Sequence, residues 1–229
     1  MENLYVKSES NFITKTLLIM ALGLLVTFAM AVGTQLFITT NEKLLISIIP
    51  FIFVGLILEL VVVWYLSKRI DRLSITAARA WFFVYSLLNG FTLSIVFYSY
   101  GLGTVSVAFG LCSLMFFCSA MIGMTTKKDL TVLGRVLMMG VIGLLLIGIV
   151  NIIIPSAFNG MNRFIALLGI AIFCGLTAYD MQKIKYFHQS AYAYDETYRN
   201  KYAIIAALNL YLDFINIFLY LLKLLKNRR

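Results

Sequence analysis

Residues 207–220 read Ala207-Leu-Asn-Leu-Tyr-Leu-Asp-Phe-Ile-Asn-Ile-Phe-Leu-Tyr220, inside an apolar run that extends from about 202 to 225. A helix needs roughly 20 predominantly apolar residues to cross the hydrocarbon core of a bilayer, and this run has that length. Within it Asn209, Asp213, Asn216 and Tyr220 recur at i, i+4, i+7 and i+11, which is one face of a helix. Leu210, Leu212, Phe214, Ile215, Ile217 and Phe218 fill the intervening positions, suited to lipid or to tight packing. The segment therefore reads as a membrane-spanning helix with a narrow polar stripe turned inward. A carboxylate at the centre of such a helix costs about 3 kcal/mol on insertion scales, so Asp213 is placed there for a reason other than solubility.

Six further runs of the same kind precede it, near 14–39, 44–66, 77–99, 102–124, 131–154 and 162–185. They are continuous rather than alternating, which favours helices over a transmembrane barrel. Apolar residues make up 62% of the 229-residue chain and charged residues 13%, against roughly a quarter charged in soluble domains. The expected class is all-α: a polytopic membrane protein of seven transmembrane helices. It is expected as a single domain over 1–229, with a short cytoplasmic leader at about 1–12. The first run is longer than a secretory signal and six more follow, so it reads as a span.

Of nineteen Lys and Arg, thirteen fall on the side shared by the N-terminus and the connections after spans two, four and six, and six on the other. Basic residues collect on the cytoplasmic side, which predicts a cytoplasmic N-terminus. Four of the six are in the C-terminal tail, so a re-entrant last segment is the alternative topology. The net charge of +9 is then the charge of cytoplasmic loops meeting anionic head groups. The partners expected are the lipid bilayer, and no module suggests nucleic acid. Cys112, Cys118 and Cys174 show no ligand spacing and read as small buried hydrophobes. His188, Asp195 and Glu196 read as solvated loop residues.

Two more carboxylates lie in apolar runs, Glu59 and Asp180. Asp180 follows Gly169-Ile-Ala-Ile-Phe-Cys-Gly-Leu-Thr-Ala-Tyr, with Thr177 one turn earlier on its face. Gly169, Gly175 and Ala178 predict close approach by a neighbouring helix, for which span seven is a candidate. Asp180 could instead pair with Lys183 at i+3. Counted from Lys68 and Lys201, Glu59 and Asp213 sit at depths of roughly 15 Å in the cytoplasmic half, with Asp180 shallower. Tyr85, Asn89 and Thr92 of span three reach the same level, and Arg69 and Arg79 are the candidate counter-charges. Two carboxylates side by side in a low dielectric share a proton and titrate in separate steps. Such a pair senses pH, and when ionised it offers hard oxygens that suit Ca²⁺. For Asn209 and Asn216, hydrogen bonding between helices is the simpler reading.

The strings Gly175-Leu-Thr-Ala-Tyr-Asp-Met-Gln and Leu210-Tyr-Leu-Asp-Phe-Ile-Asn resemble the paired C-terminal signatures of the Bax inhibitor-1 family. Thr126-Lys-Lys-Asp-Leu, Asn151 with Pro155, and Phe83-Val-Tyr with Gly90-Phe-Thr-Leu extend the resemblance over nearly the whole chain. The resemblance implies six helices around a central seventh. It also implies a pH-sensitive Ca²⁺ leak with Asp180 and Asp213 as sensor, so that Ca²⁺ and protons are cargo and no cofactor is needed. Arg69 is implied as a latch of the closed state and Glu59 as a group in ion passage. Opening would move helix two, a shift that needs several kcal/mol of differential interaction. Met181 stands where many relatives carry Thr, which bears on the pH response. A bacterial plasma membrane is the expected location.

Two rival readings exist. Some bacterial relatives associate with a membrane-anchored protease, and segment 1–12 would be the handle for such a partner. An intramembrane aspartyl hydrolase would also use two aspartates. Leu210-Tyr-Leu precedes Asp213 where those enzymes have a Gly-x-Gly pattern, and the expectation is that the chain is not an enzyme.

Overall fold

A computed structural model describes residues 2–40, 43–154, 158, 160–190 and 195–226. Among them run seven helices: α1 (Glu2–Thr40), α2 (Lys43–Arg69), α3 (Ile75–Tyr100), α4 (Leu102–Thr125), α5 (Thr131–Ile153), α6 (Asn162–Ser190) and α7 (Glu196–Lys226). All seven are long and apolar enough to cross a membrane, and no strand occurs among the described residues. The fold is all-α, and the spans read from hydrophobicity agree with the helices to within a few residues at most ends. In α1 the helix starts at Glu2, so residues 2–10 of the expected leader continue the span as helix. Pro155 and the side chain of His188 lie outside the described residues.

Burial sorts the helices. Two-thirds (67%) of the most apolar stretch of α7 is buried against only 6% of that of α5. Helix α7 is thus an inner element, whereas Met139, Leu145, Ile152 and Ile153 of α5 stand exposed, as lipid-facing side chains do. Wholly buried residues of α7 include Ile204, Ala207, Leu210, Tyr211, Ile217 and Phe218, whereas in the polar stripe Asp213 is buried and Asn209, Asn216 and Tyr220 are half-buried. The inward face is therefore largely apolar, and the polar stripe read from the spacing is not the most enclosed part of the helix. A helix surrounded by other helices buries every face, so periodicity alone could not say which face lay deepest.

The helices pack as two compact units, residues 1–102 with 187–211, and residues 103–186 with 212–229. In the first, α3 lies against α1 and α2. A Cβ on Gly90 would sit 2.5 Å from the backbone oxygen of Thr27, so the α1 and α3 backbones touch there. A Cβ on Gly55 would sit 2.9 Å from the methyl of Thr92, which sets α2 against α3 one turn before Glu59. Polar contacts in the same unit are Lys15 donating to Asn200 at 2.5 Å and Lys201 to the Asp71 carbonyl at 2.8 Å.

In the second unit, α6 is the hub. Its three small residues meet three different neighbours, where one close partner was expected. Gly169 faces the Tyr220 ring of α7, Gly175 faces Leu137 of α5, and Ala178 carries the carbonyl that Gly123 of α4 approaches. The ring of Phe214 lies edge-on to Phe109 and Phe116 of α4, with centroids 5.6 Å away in both cases. Cys112 is buried and donates to the Phe214 carbonyl at 3.3 Å, Cys174 is half-buried, and Cys118 is exposed rather than buried.

Two exposed carboxylates outside the spans accept hydrogen bonds at helix starts. The hydroxyl and N–H of Thr131 donate to Asp129 and hold its carboxyl below the usual range. The Thr197 hydroxyl, with the Glu196 N–H, does the same for Asp195 at the start of α7. A depressed carboxyl stabilises the fold above its ordinary titration range, and that contribution is lost as pH falls through the lowered value.

The contact at Gly123 is testable. A methyl there would lie 2.1 Å from the Ala178 oxygen, which is backbone and has little room to yield, whereas nothing lies within 4 Å of a methyl at Gly143. Gly123→Ala is expected to lower stability by about 1–3 kcal/mol through overpacking. Gly143→Ala is expected to raise it by up to about 1 kcal/mol through helix propensity. Thermal unfolding in detergent reads both.

Candidate functional site

Helix α6 carries Thr177 and Asp180 on one face, three residues apart. Helix α7 carries Asp213, which is 5% exposed. The Thr177 hydroxyl donates to its own helix at the Phe173 carbonyl (2.8 Å) and lies 3.4 Å from Asp213 Oδ2. Asp180, half-buried, is close enough to act on Asp213 electrostatically. Lys183 acts on Asp180 in the same way, but among the described residues the two form no ion pair within 4 Å. The structure thus brings Asp180, Asp213 and Thr177 into one neighbourhood of the second unit. Cys174, hydrogen-bonded with Ser119, also lies within electrostatic reach of Asp213.

What holds Asp180 in place is the end of α6. Gln182, 2% exposed, accepts from the Leu130 N–H at 2.8 Å and donates to the Lys128 carbonyl at 2.8 Å. A longer contact of 3.4 Å reaches the Thr126 carbonyl. One amide therefore satisfies three backbone groups of the turn between α4 and α5. Lys185 adds a bond to the Met124 carbonyl at 2.8 Å, where a cation suits the C-terminal end of α4. Gln182 was not among the residues singled out by spacing. Its place two residues after Asp180 was visible, but its partners lie more than 50 positions away in the chain.

Glu59 belongs to the first unit, 8% exposed on α2. Asn89 Nδ2 donates to its Oε2 at 3.0 Å and the Thr92 hydroxyl to its Oε1 at 2.5 Å. Tyr211 of α7 donates to Asn89 Oδ1 at 3.0 Å and lies 2.6 Å from the Thr27 hydroxyl of α1. The Tyr85 ring stands edge-on to Tyr211, centroids 5.5 Å apart. Four helices thus meet in one buried polar network. The α3 residues Tyr85, Asn89 and Thr92 share the face the spacing indicated. Tyr211 and Thr27 were not foreseen, because Tyr211 lies off the stripe of Asn209, Asp213 and Asn216 and Thr27 is a single polar residue among apolar neighbours.

Of the remaining sequence candidates, Asn209 is half-buried in the first unit. Asn216 donates to the Leu212 carbonyl of its own helix at 2.8 Å. Arg69, at the end of α2, and Arg79, in the second turn of α3, are exposed.

Comparison with known proteins places the chain. Residues 9–229 match the family described as Inhibitor of apoptosis-promoting Bax1. The chain belongs to the Bax inhibitor-1 family. It is 38% identical over 190 residues to the inner membrane protein YbhL of Escherichia coli K12, covering 83% of this chain and 77% of that one. An uncharacterized protein of Borreliella burgdorferi is 36% identical over 221 residues, 96% of this chain and 94% of the relative. An uncharacterized membrane protein of Streptococcus pyogenes serotype M1 is 37% identical over 184 residues, covering 79% and 78%. This Bax inhibitor-1 family chain is accordingly a membrane protein, as its seven apolar helices require.

The clamp at the end of α6 carries a prediction. Gln182→Leu keeps approximate size but strands the Leu130 N–H and the Lys128 carbonyl. Each of these part-buried hydrogen bonds is worth about 0.5–1.5 kcal/mol, so a fall in the thermal unfolding midpoint is expected. Hydrogen exchange at the Leu130 amide should rise in the same variant.

Proposed function

We propose that this Bax inhibitor-1 family protein is a pH-responsive Ca²⁺ leak of the bacterial inner membrane, with Asp180 and Asp213 as its proton sensor. The observation that carries this reading is a buried carboxylate, Asp213, beside Thr177 and within electrostatic reach of a second carboxylate. A buried carboxylate resists ionising beside a second one within electrostatic reach, so the two respond to pH as a pair. With the proton gone they present hard oxygen ligands. Ca²⁺ takes six to eight oxygens, and two carboxylates with one hydroxyl supply only part of that shell. A passing ion that keeps much of its water fits this donor set better than a resident metal. The reading includes Arg69 as latch, Glu59 as a group in ion passage and α2 as the element that moves. The family and the helical membrane fold favour transport over catalysis.

Reconstitution into liposomes loaded with a Ca²⁺ dye tests the reading. Wild-type protein is expected to release Ca²⁺ at a rate that depends on pH, and Asp180→Asn and Asp213→Asn are each expected to flatten that profile. If both variants leak with the wild-type pH dependence, the sensor assignment fails.

The proposed orientation places the N-terminus in the cytoplasm, because the connections after α2, α4 and α6 carry most of the Lys and Arg. Alkaline phosphatase fused between α2 and α3 is expected to be inactive, and fused between α1 and α2 active. The reverse pattern would overturn the orientation.

A further inference from the structure

The Glu59 network contains more acceptors than protons, and this decides what it can do. Thr27 has one hydroxyl proton and three oxygens within reach: Gly23 O at 3.0 Å, Ser86 O at 2.9 Å and Tyr211 Oη at 2.6 Å. Tyr211 has one proton and two choices, Asn89 Oδ1 at 3.0 Å or Thr27 Oγ1 at 2.6 Å. Thr92 can donate to Glu59 Oε1 at 2.5 Å or to the Asn89 carbonyl at 3.0 Å. The Asn89 amide is a donor on one side and an acceptor on the other, and the two ends are nearly the same size.

Two arrangements satisfy the chain. With Glu59 ionised, Asn89 Nδ2 and Thr92 donate to its two oxygens. Asn89 Oδ1 then accepts from Tyr211, and Tyr211 accepts from Thr27. With Glu59 protonated, its O–H donates to Asn89 Oδ1 after the amide turns over. The Asn89 NH₂ then donates to Tyr211, Tyr211 donates to Thr27, and Thr27 donates to the Ser86 carbonyl. The phenols facing Glu59 are Tyr85 of α3 and Tyr211 of α7, while α1 brings only the hydroxyl of Thr27. No ion pair with Glu59 occurs among the described residues.

We propose that Glu59, Asn89, Tyr211 and Thr27 form a reversible hydrogen-bond chain that binds one proton at Glu59 and reverses its donor direction as far as Thr27 on α1. The protein then has a proton site that uses neither Asp180 nor Asp213, and whose state is reported from α2 through α3 and α7 to α1. Close contact at Gly90 and Gly55 makes the chain continuous, because it brings Thr27 to Ser86 and Glu59 to Thr92. The site does not depend on whether the protein passes Ca²⁺.

Infrared difference spectroscopy on the full-length protein in lipid nanodiscs, titrated from about pH 4 to about pH 10, tests the chain. A protonated-carboxyl band is expected in the wild type and is expected to vanish in Glu59→Gln. At a pH where that band is half-developed, Thr27→Val should lower the protonated-to-ionised ratio about five-fold, the effect of one ordinary hydrogen bond. Valine leaves the Tyr211 hydroxyl without an acceptor in the protonated arrangement, but only removes an incoming bond in the ionised one. Thr92→Val should raise the ratio by a similar factor, since it removes a donor to the carboxylate. Thr27→Ser should behave as wild type. A Glu59 band absent at every pH overturns the proposal, as does a Thr27→Val ratio equal to wild type. Should Thr27→Val not fold, the wild-type band and the opposite shift in Thr92→Val decide the matter.

Discussion

A bilayer interior offers no water to a polar group, and the rest of this structure follows from that constraint. Backbone amides meet it by forming helices, so the chain is all-α. Side chains meet it only by finding partners on other helices. Glu59 has Asn89 and Thr92, Tyr211 has Asn89 and Thr27, and Gln182 has the turn between α4 and α5. Among the described residues, Gln35 Oε1 is the buried side-chain oxygen left without a partner. Each satisfied network therefore acts as a fastener between helices that apolar contact alone would let slide, because lipid tails are as apolar as the side chains they replace.

Polar partners need close backbones, and glycine supplies them. Where Gly90 meets Thr27 and Gly123 meets Ala178, the helices come nearer than a methyl group allows. The first contact lies one residue from Asn89. The second lies two residues from Asp180 along α6. Packing and polar chemistry are thus set by the same turns, so a change in either is felt by the other. The same logic makes α6 and α7 the helices that position the Asp180 and Asp213 carboxylates.

The family assignment and the geometry support different parts of the functional reading. Family membership rests on the match over residues 9–229 and covers the chain as a membrane protein. The proton-sensing reading rests on Asp213 being buried with a second acid in reach. The Glu59 network adds a carboxylate with two neutral donors and no cation partner among the described residues, a setting in which charge and proton are alternatives.

Seven spans, most of their limits and the unusual cost of Glu59, Asp180 and Asp213 were legible in the sequence by itself, although the N-terminal starts of α1 and α7 were not. Hydrophobicity adds up segment by segment, and an acid in an apolar run stands out without knowledge of its neighbours. The α3 face of Tyr85, Asn89 and Thr92 was legible too, because helical spacing is a local property. Only the tertiary structure decided that Asn89 and Thr92 hold Glu59, that Tyr211 and Thr27 join them, and that Gln182 secures the end of α6. Those contacts depend on how each helix is rotated and how closely it approaches the next. Rotation and approach are set by small residues on partner helices that lie dozens of positions away.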